Sequence, residues 1–125
     1  MNIELVKEFH LKFRIPMSTD PKLLPRNLME HRLEFMLEEL AELKQSANEK
    51  SLPGVADALV DLAYVILGTA AQMGLPWEEL VEEVHKANMN KVLGKGDDAH
   101  KLGILKPVGW KEPNIEGVIN GTHNR

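Results

Sequence analysis

Between Val55 and Ala71 the only charged residues are Asp57 and Asp61, set in a segment that is otherwise almost entirely apolar on every side. A helix without a polar face is packed against neighbours on most sides, so this segment has to be the core helix of whatever the chain builds. Asp57 and Asp61 are i and i+4 and share one face of it. Ionised carboxylates in such surroundings are costly unless a cation or several donors meet them. Asp57 could instead cap the helix start, because it follows Pro53-Gly54 closely; Asp61 has no such role. The uncharged stretch from Leu62 to Ala71 is about half of the roughly 20 residues needed to span a bilayer. The expectation is a buried helix and no membrane.

The rest of the chain reads as helical up to its last third. Leu5, Val6, Phe9 and Phe13 recur at spacings of three and four, the period of an amphipathic helix that ends before Pro16. Pro21 and Pro25 bracket a connection. From Asn27 to Asn48 there is neither Gly nor Pro, and Leu33, Met36, Leu37, Leu40, Leu43 and Ala47 keep the 3.6-residue period. Ser51-Leu52-Pro53-Gly54 breaks that helix, the core helix runs from Val55 to Met73 with Gly74 as its C-terminal stop, and Pro76 opens a fourth helix that Leu80, Val81, Val84 and Val92 carry to Leu93. The segment after Gly94 reads as loop through Pro113, and Asn120 to Arg125 as a frayed tail. The pattern predicts an all-α bundle of four to five helices with a loop-rich C-terminal tail, forming one domain over residues 1–119, and 125 residues suffice for a real core.

The second helix carries Glu38-Glu39-x-x-Glu42. At about 100° per residue the three acids fall in one arc, and like charges so close repel. A solvated acidic face is the plain explanation. Two antiparallel helices joined by a short turn would, however, bring this arc beside Asp57 and Asp61. Four or five carboxylates would then surround one space. With oxygen donors alone, no cysteine in the chain and no histidine in the set, the implied ion is hard: Mg²⁺ first, Mn²⁺ next. A di-iron site of the ferritin type would want Glu-x-x-His, which neither helix supplies.

Charge is unevenly spread around a net −4: six acids lie between Glu30 and Glu49, and five lysines between Lys91 and Lys111. An acidic total argues against a nucleic-acid polymer as partner, and an acidic patch followed by a basic stretch suits a metal-chelated polyanion. His85, Asn88 and Lys91 make the inward face of the fourth helix polar near its end. That could be fading amphipathicity, or Lys91 could hold a phosphate as a point charge. Lys95, Lys101 and Lys106 follow in a stretch able to fold over a ligand. Trp110 is either an apolar anchor for the tail or a stacking surface for a base. The absence of cysteine and of a basic-then-apolar N-terminus fits a cytoplasmic protein.

Together these residues resemble the all-α nucleoside triphosphate pyrophosphohydrolases, the MazG and phosphoribosyl-ATP pyrophosphohydrolase superfamily, whose motif is EExxE followed by ExxD. The resemblance rests on Glu38-Glu39-Leu40-Ala41-Glu42 and on Asp57-Ala58-Leu59-Val60-Asp61, and it extends to Val84 through Lys91 and to Lys106 with Trp110. It is closest to small dimeric dUTPase-like members. It implies that Glu38, Glu39, Glu42 and Asp61 bind Mg²⁺, that one of the glutamates activates water, and that Asn88 and Lys91 reach the phosphates of a nucleoside triphosphate, with Lys95, Lys106 and Trp110 as further substrate contacts. The departure is Ala58, three before Asp61, where ExxD has its first acid; Asp57 stands one residue earlier and joins the set as ligand or supporting partner. The implied activity is Mg-dependent release of pyrophosphate and a nucleoside monophosphate, as in house-cleaning of dUTP, dCTP or non-standard nucleotides. Phosphoribosyl-ATP is the alternative substrate, and a helical interaction module with a vestigial metal site the alternative class. The family's assemblies imply a homodimer or a dimer of dimers.

Overall fold

Ser51 ends one helix and begins the next. In the computed structural model, which describes residues 2–94 and 103–122, α1 (Ile3–Lys12), α2 (Arg26–Asn48) and α3 (Leu52–Gln72) form the first half of the chain. The Ser51 backbone N–H donates back to Ser46 at 2.9 Å, while its hydroxyl accepts from the Gly54 N–H at 3.1 Å. With Pro53 in the first turn, where no backbone donor is needed, α3 starts at Leu52 and not at Val55. Pro53 and Gly54, expected to interrupt the chain, lie inside the helix because Ser51 supplies the cap. Asp57 sits past the first turn and is therefore not the cap.

Each of the three helices ends in the same way. The N–H groups of Ile15, Ser51 and Leu75 donate to the carbonyls of His10, Ser46 and Ala70, the six-to-one bond of a Schellman ending. The residue before each donor is left-handed: Arg14 (φ 56°), Lys50 (φ 57°) and Gly74 (φ 66°). Gly74 is the stop that the sequence predicts. Arg14 and Lys50 pay the steric penalty of an L-residue there, of order 1–2 kcal/mol, which glycine would trade for a smaller entropic loss. Lys50→Gly is expected to stabilise the chain by about 0.5–1 kcal/mol, seen as a higher urea midpoint at unchanged slope.

The chain divides into two compact units, Met1–Leu75 and Pro76–Arg125. In the first, α3 packs against α2 and α1. The buried face of α1 is Ile3, Val6 and His10, so that of the expected Leu5, Val6, Phe9 and Phe13 only Val6 is buried; Phe9 instead meets Phe13 and the edge of Tyr64 at ring distances of 4.8 and 5.5 Å. No residue of the apolar stripe of α2 is fully buried among the described residues, Met36 and Leu43 being half-buried. Leu37, Leu40, Ala41, Leu43 and Ala47 line an open groove of about 540 Å³. Helix α3 is buried at Ala58 and from Leu67 to Gln72, but Leu59 and Val60 are half exposed. The expectation of burial on every side thus holds for the C-terminal part and fails at Leu59 and Val60, which α2 and α1 leave on the surface. By length and composition alone α3 passes for a membrane span, with mean hydropathy 1.5; here it is the core helix of a bundle and carries two aspartates.

The second unit contains α4 (Trp77–Met89), β1 (Val92–Leu93), β2 (Ile104–Leu105) and α5 (Ile115–Thr122). Helix α4 stops at Met89, short of the expected Leu93, because Val92 and Leu93 pair with Leu105 and Ile104 in an antiparallel ladder. Pro107-Val108-Gly109-Trp110 is a tight turn closed by the Trp110 N–H on the Pro107 carbonyl at 3.0 Å, with Gly109 at φ 81°, a conformation suited to glycine at the third turn position. The Asn114 side chain caps α5 by accepting from the Gly117 N–H at 3.0 Å, and the Asn114 backbone N–H donates to the Glu83 carboxylate of α4 at 2.9 Å. Helix α5 continues through the Asn120 to Thr122 stretch that sequence marks as frayed; positions 123–125 lie outside the described residues.

Candidate metal centre

The three-residue connection at Glu49–Ser51 lays α3 antiparallel to α2, so that positions 39 and 42 of one face position 61 of the other. Glu39, Glu42 and Asp61 each bring a carboxylate oxygen to within 4.8 Å of the other two. Glu39 and Asp61 are half-buried and Glu42 is exposed. Asp57 stands against Asp61, whose carboxyl is pushed above the usual range by loss of hydration and then by the charges of Asp57 and Glu42. The Glu39 carboxyl is raised for the same first reason, then by Glu42 and Asp61. Its Oε2 is buried without a hydrogen-bond partner. Glu38, exposed on the same helix, is not one of the three.

Among the described residues no Lys or Arg ion-pairs with these acids. An orphaned carboxylate oxygen amid mutually repelling carboxylates fits a site meant for a cation, and an all-oxygen donor set fits a hard one. The pH dependence follows. Raised values in the folded chain mean that it binds more protons than the unfolded chain in the window just above the ordinary carboxylate values of about 4, so apo stability falls as pH rises through that window. His10, whose value is lowered by burial and by Arg32, acts in the opposite sense below about 6.5. The wild-type minus Glu39→Gln difference in melting temperature isolates the carboxylates. Without metal, that difference is expected to become more negative from acid to neutral pH, and a flat difference would refute the coupling.

The chain matches the phosphoribosyl-ATP pyrophosphohydrolase family over residues 6–88. It belongs to that family. No curated protein matches the chain. Members of the phosphoribosyl-ATP pyrophosphohydrolase family are hydrolases acting on a phosphoric anhydride of nucleotide-like substrates and use a divalent metal, and the class of activity of this chain is theirs. The matched stretch spans α1 to α4, including the carboxylate cluster and Asn88.

Lys91, Lys95, Lys106 and Trp110 lie beyond the matched residues, and Lys95 and Lys101 also lie outside the described ones. Asn88 is exposed at the edge of an apolar groove of about 320 Å³ formed on α4 by Val81, Val84 and His85 among others. Trp110 is anchored: its indole Nε1 donates to the Ala87 carbonyl at 2.8 Å. The ammonium groups of Lys91 and Lys106 stand 5.4 and 4.8 Å from its ring centre, within cation–π range. The structure therefore joins Lys91, Lys106 and Trp110 into one basic, aromatic cluster.

His10 and Arg32 have no assigned role in the sequence pattern, yet they meet beside α3. Arg32 sits seven residues before Glu39, on the same face of α2, and donates to Val65 and Thr69 of α3. Its signal in the sequence was that spacing. His10 continues the Ile3-Val6 face at helical spacing, which a search for apolar residues alone does not pick up.

Proposed function

We propose that this member of the family hydrolyses a nucleoside triphosphate or a close relative to a nucleoside monophosphate and pyrophosphate, with Mg²⁺, or Mn²⁺ in its place, held by Glu39, Glu42 and Asp61 and supported by Asp57. The observation that carries the reading is the convergence of these carboxylates from two helices around the unpartnered oxygen of Glu39. A bound divalent cation would offset the charge of the phosphate chain and the acids alike and polarise a water. One of the glutamates would take the proton of that water as general base. Glu42 and Asp61 hold the opposite sides of the space, and Glu38 stays on the exposed flank. Asn88 and Lys91 are kept as the phosphate-binding residues of the second unit, with Lys106 and Trp110 beside Lys91.

Two substrate readings stand. House-cleaning of dUTP, dCTP or non-standard nucleotides follows from the resemblance of the motifs to dUTPase-like members; phosphoribosyl-ATP follows from the matched family. Pyrophosphate release from a panel containing dUTP, dCTP, the other common nucleotides and phosphoribosyl-ATP, with Mg²⁺, decides between them. Release from none of these would sink the enzymatic proposal and favour an interaction module. Kinetics of Lys91→Ala test the phosphate role: both lower kcat and higher KM are expected, because contacts to oxygens that gain charge in the transition state appear in both. Lys106→Ala is expected to raise KM chiefly, more so at low salt. An unchanged KM in both variants would leave these lysines as packing for Trp110.

The proposal includes a homodimer or dimer of dimers in the cytoplasm. The uncovered apolar groove on α2 and the half-exposed Leu59 and Val60 on α3 are apolar surfaces of the sort that close against a second copy. Light scattering after gel filtration checks it.

A further inference from the structure

One turn of α3 beyond Asp61 and two turns of α2 before Glu39, a guanidinium lies between the helices without a counter-ion. Arg32 Nε donates to Thr69 Oγ1 at 3.0 Å and Nη2 to the Val65 carbonyl at 2.9 Å. The Phe35 ring lies 5.7 Å from its central carbon. Among the described residues no carboxylate reaches it. His10 of α1 abuts it, 2% exposed, with an Nδ1 that has no partner. The space exists because residue 68 is glycine: a Cβ there would stand 2.5 Å from Nη2 of Arg32 and 3.0 Å from Nε2 of His10.

Removing a cation from water without a counter-ion costs free energy, and a leucine would pack α2 on α3 without that cost. What the arginine adds is direction. Two forked hydrogen bonds fix where α2 stands along the axis of α3, whereas apolar contacts allow sliding. Helices are stiff over two turns, so the position of Arg32 against Val65 and Thr69 sets the position of Glu39 against Asp61. The repelling carboxylates themselves favour sliding and splaying.

We infer that Arg32 is a positioning residue that holds α2 and α3 in the register at which Glu39, Glu42 and Asp61 converge, and so preorganises the divalent-cation site, with Gly68 providing its seat. The inference rests on reading the carboxylate cluster as a metal site. In that role Arg32 touches neither metal nor substrate. It acts through the helices.

The test is equilibrium binding of Mn²⁺ to the full-length protein, followed by the loss of the free-ion paramagnetic signal, beside circular dichroism and urea unfolding. Arg32→Leu is expected to keep the helical signal and cooperative unfolding yet bind Mn²⁺ about 10-fold more weakly, the scale of a supporting interaction around a metal. Arg32→Lys should recover only part, since a single ammonium cannot fork. Gly68→Ala approaches from the other helix: alanine favours α3 intrinsically but displaces the guanidinium, so it should weaken Mn²⁺ binding with Arg32 still in the chain and add nothing further in the Arg32→Leu background. If wild type binds Mn²⁺ and Glu39→Gln abolishes it, while Arg32→Leu and Gly68→Ala both bind as wild type does, the positioning role is overturned and the metal site stands. If wild type itself binds no Mn²⁺, the reading of the cluster fails first and takes the inference with it. Should Arg32→Leu not fold, Gly68→Ala alone carries the decision.

Discussion

Glu39→Gln and Asp61→Asn are expected to leave a folded helical chain whose pyrophosphate release falls by on the order of 100-fold or more. Each change keeps the shape of the side chain and deletes one ligand charge from a group whose members lie within 4.8 Å of one another. The apo protein should at the same time melt higher, because the carboxyls of Glu39 and Asp61 are raised by lost hydration and mutual repulsion and a neutral amide relieves both. Higher stability with lost activity is the signature of a site arranged for function at a cost to the fold. Wild-type turnover in either variant at saturating Mg²⁺ would refute the assignment.

The second large effect is on melting of the wild-type chain. A divalent cation that binds only the folded form stabilises it by about 2.7 kcal/mol at a hundred times its dissociation constant, which for a chain of this length amounts to roughly 10 °C. Mg²⁺ and Mn²⁺ should both give such shifts and Na⁺ at equal ionic strength should not. The shift should shrink as pH falls toward the raised values of Glu39 and Asp61, because protons and the cation compete for the same oxygens. It should vanish in Glu39→Gln. A calorimetric scan showing no shift at millimolar metal would remove the cation from the site.

The extent of each helix was legible wherever local chemistry decides it. The Gly- and Pro-free run before Asn48, Gly74 as a stop and the i,i+4 aspartates all stand in the fold as the sequence implies. What was illegible depends on partners far along the chain. The face of α1 that is buried is set by α3, so Phe9 and Phe13 look like core residues and are not. Strands of two residues, such as Val92–Leu93, are too short to show a period of two. Arg32 resembles an ordinary surface charge until Val65 and Thr69 are placed opposite it. Glu38 and Glu39 look alike in the motif, and only the rotation of α2 separates the one that faces Asp61 from the one that faces solvent.

Ser51 makes the α2–α3 connection intolerant of length change. Its N–H terminates α2 and its hydroxyl starts α3, so no slack separates the helices. One inserted or deleted residue within α3 ahead of Asp61 would turn that carboxylate by about 100° around the helix and carry it out of the cluster, while the apolar packing further along could still re-form. The span from Glu42 to Asp61 is therefore fixed to the residue by the chemistry at its two ends, whereas the longer α1–α2 connection is held, among the described residues, by only two backbone bonds, from Ser18 and Lys22 to the carbonyls of Gln72 and Met73.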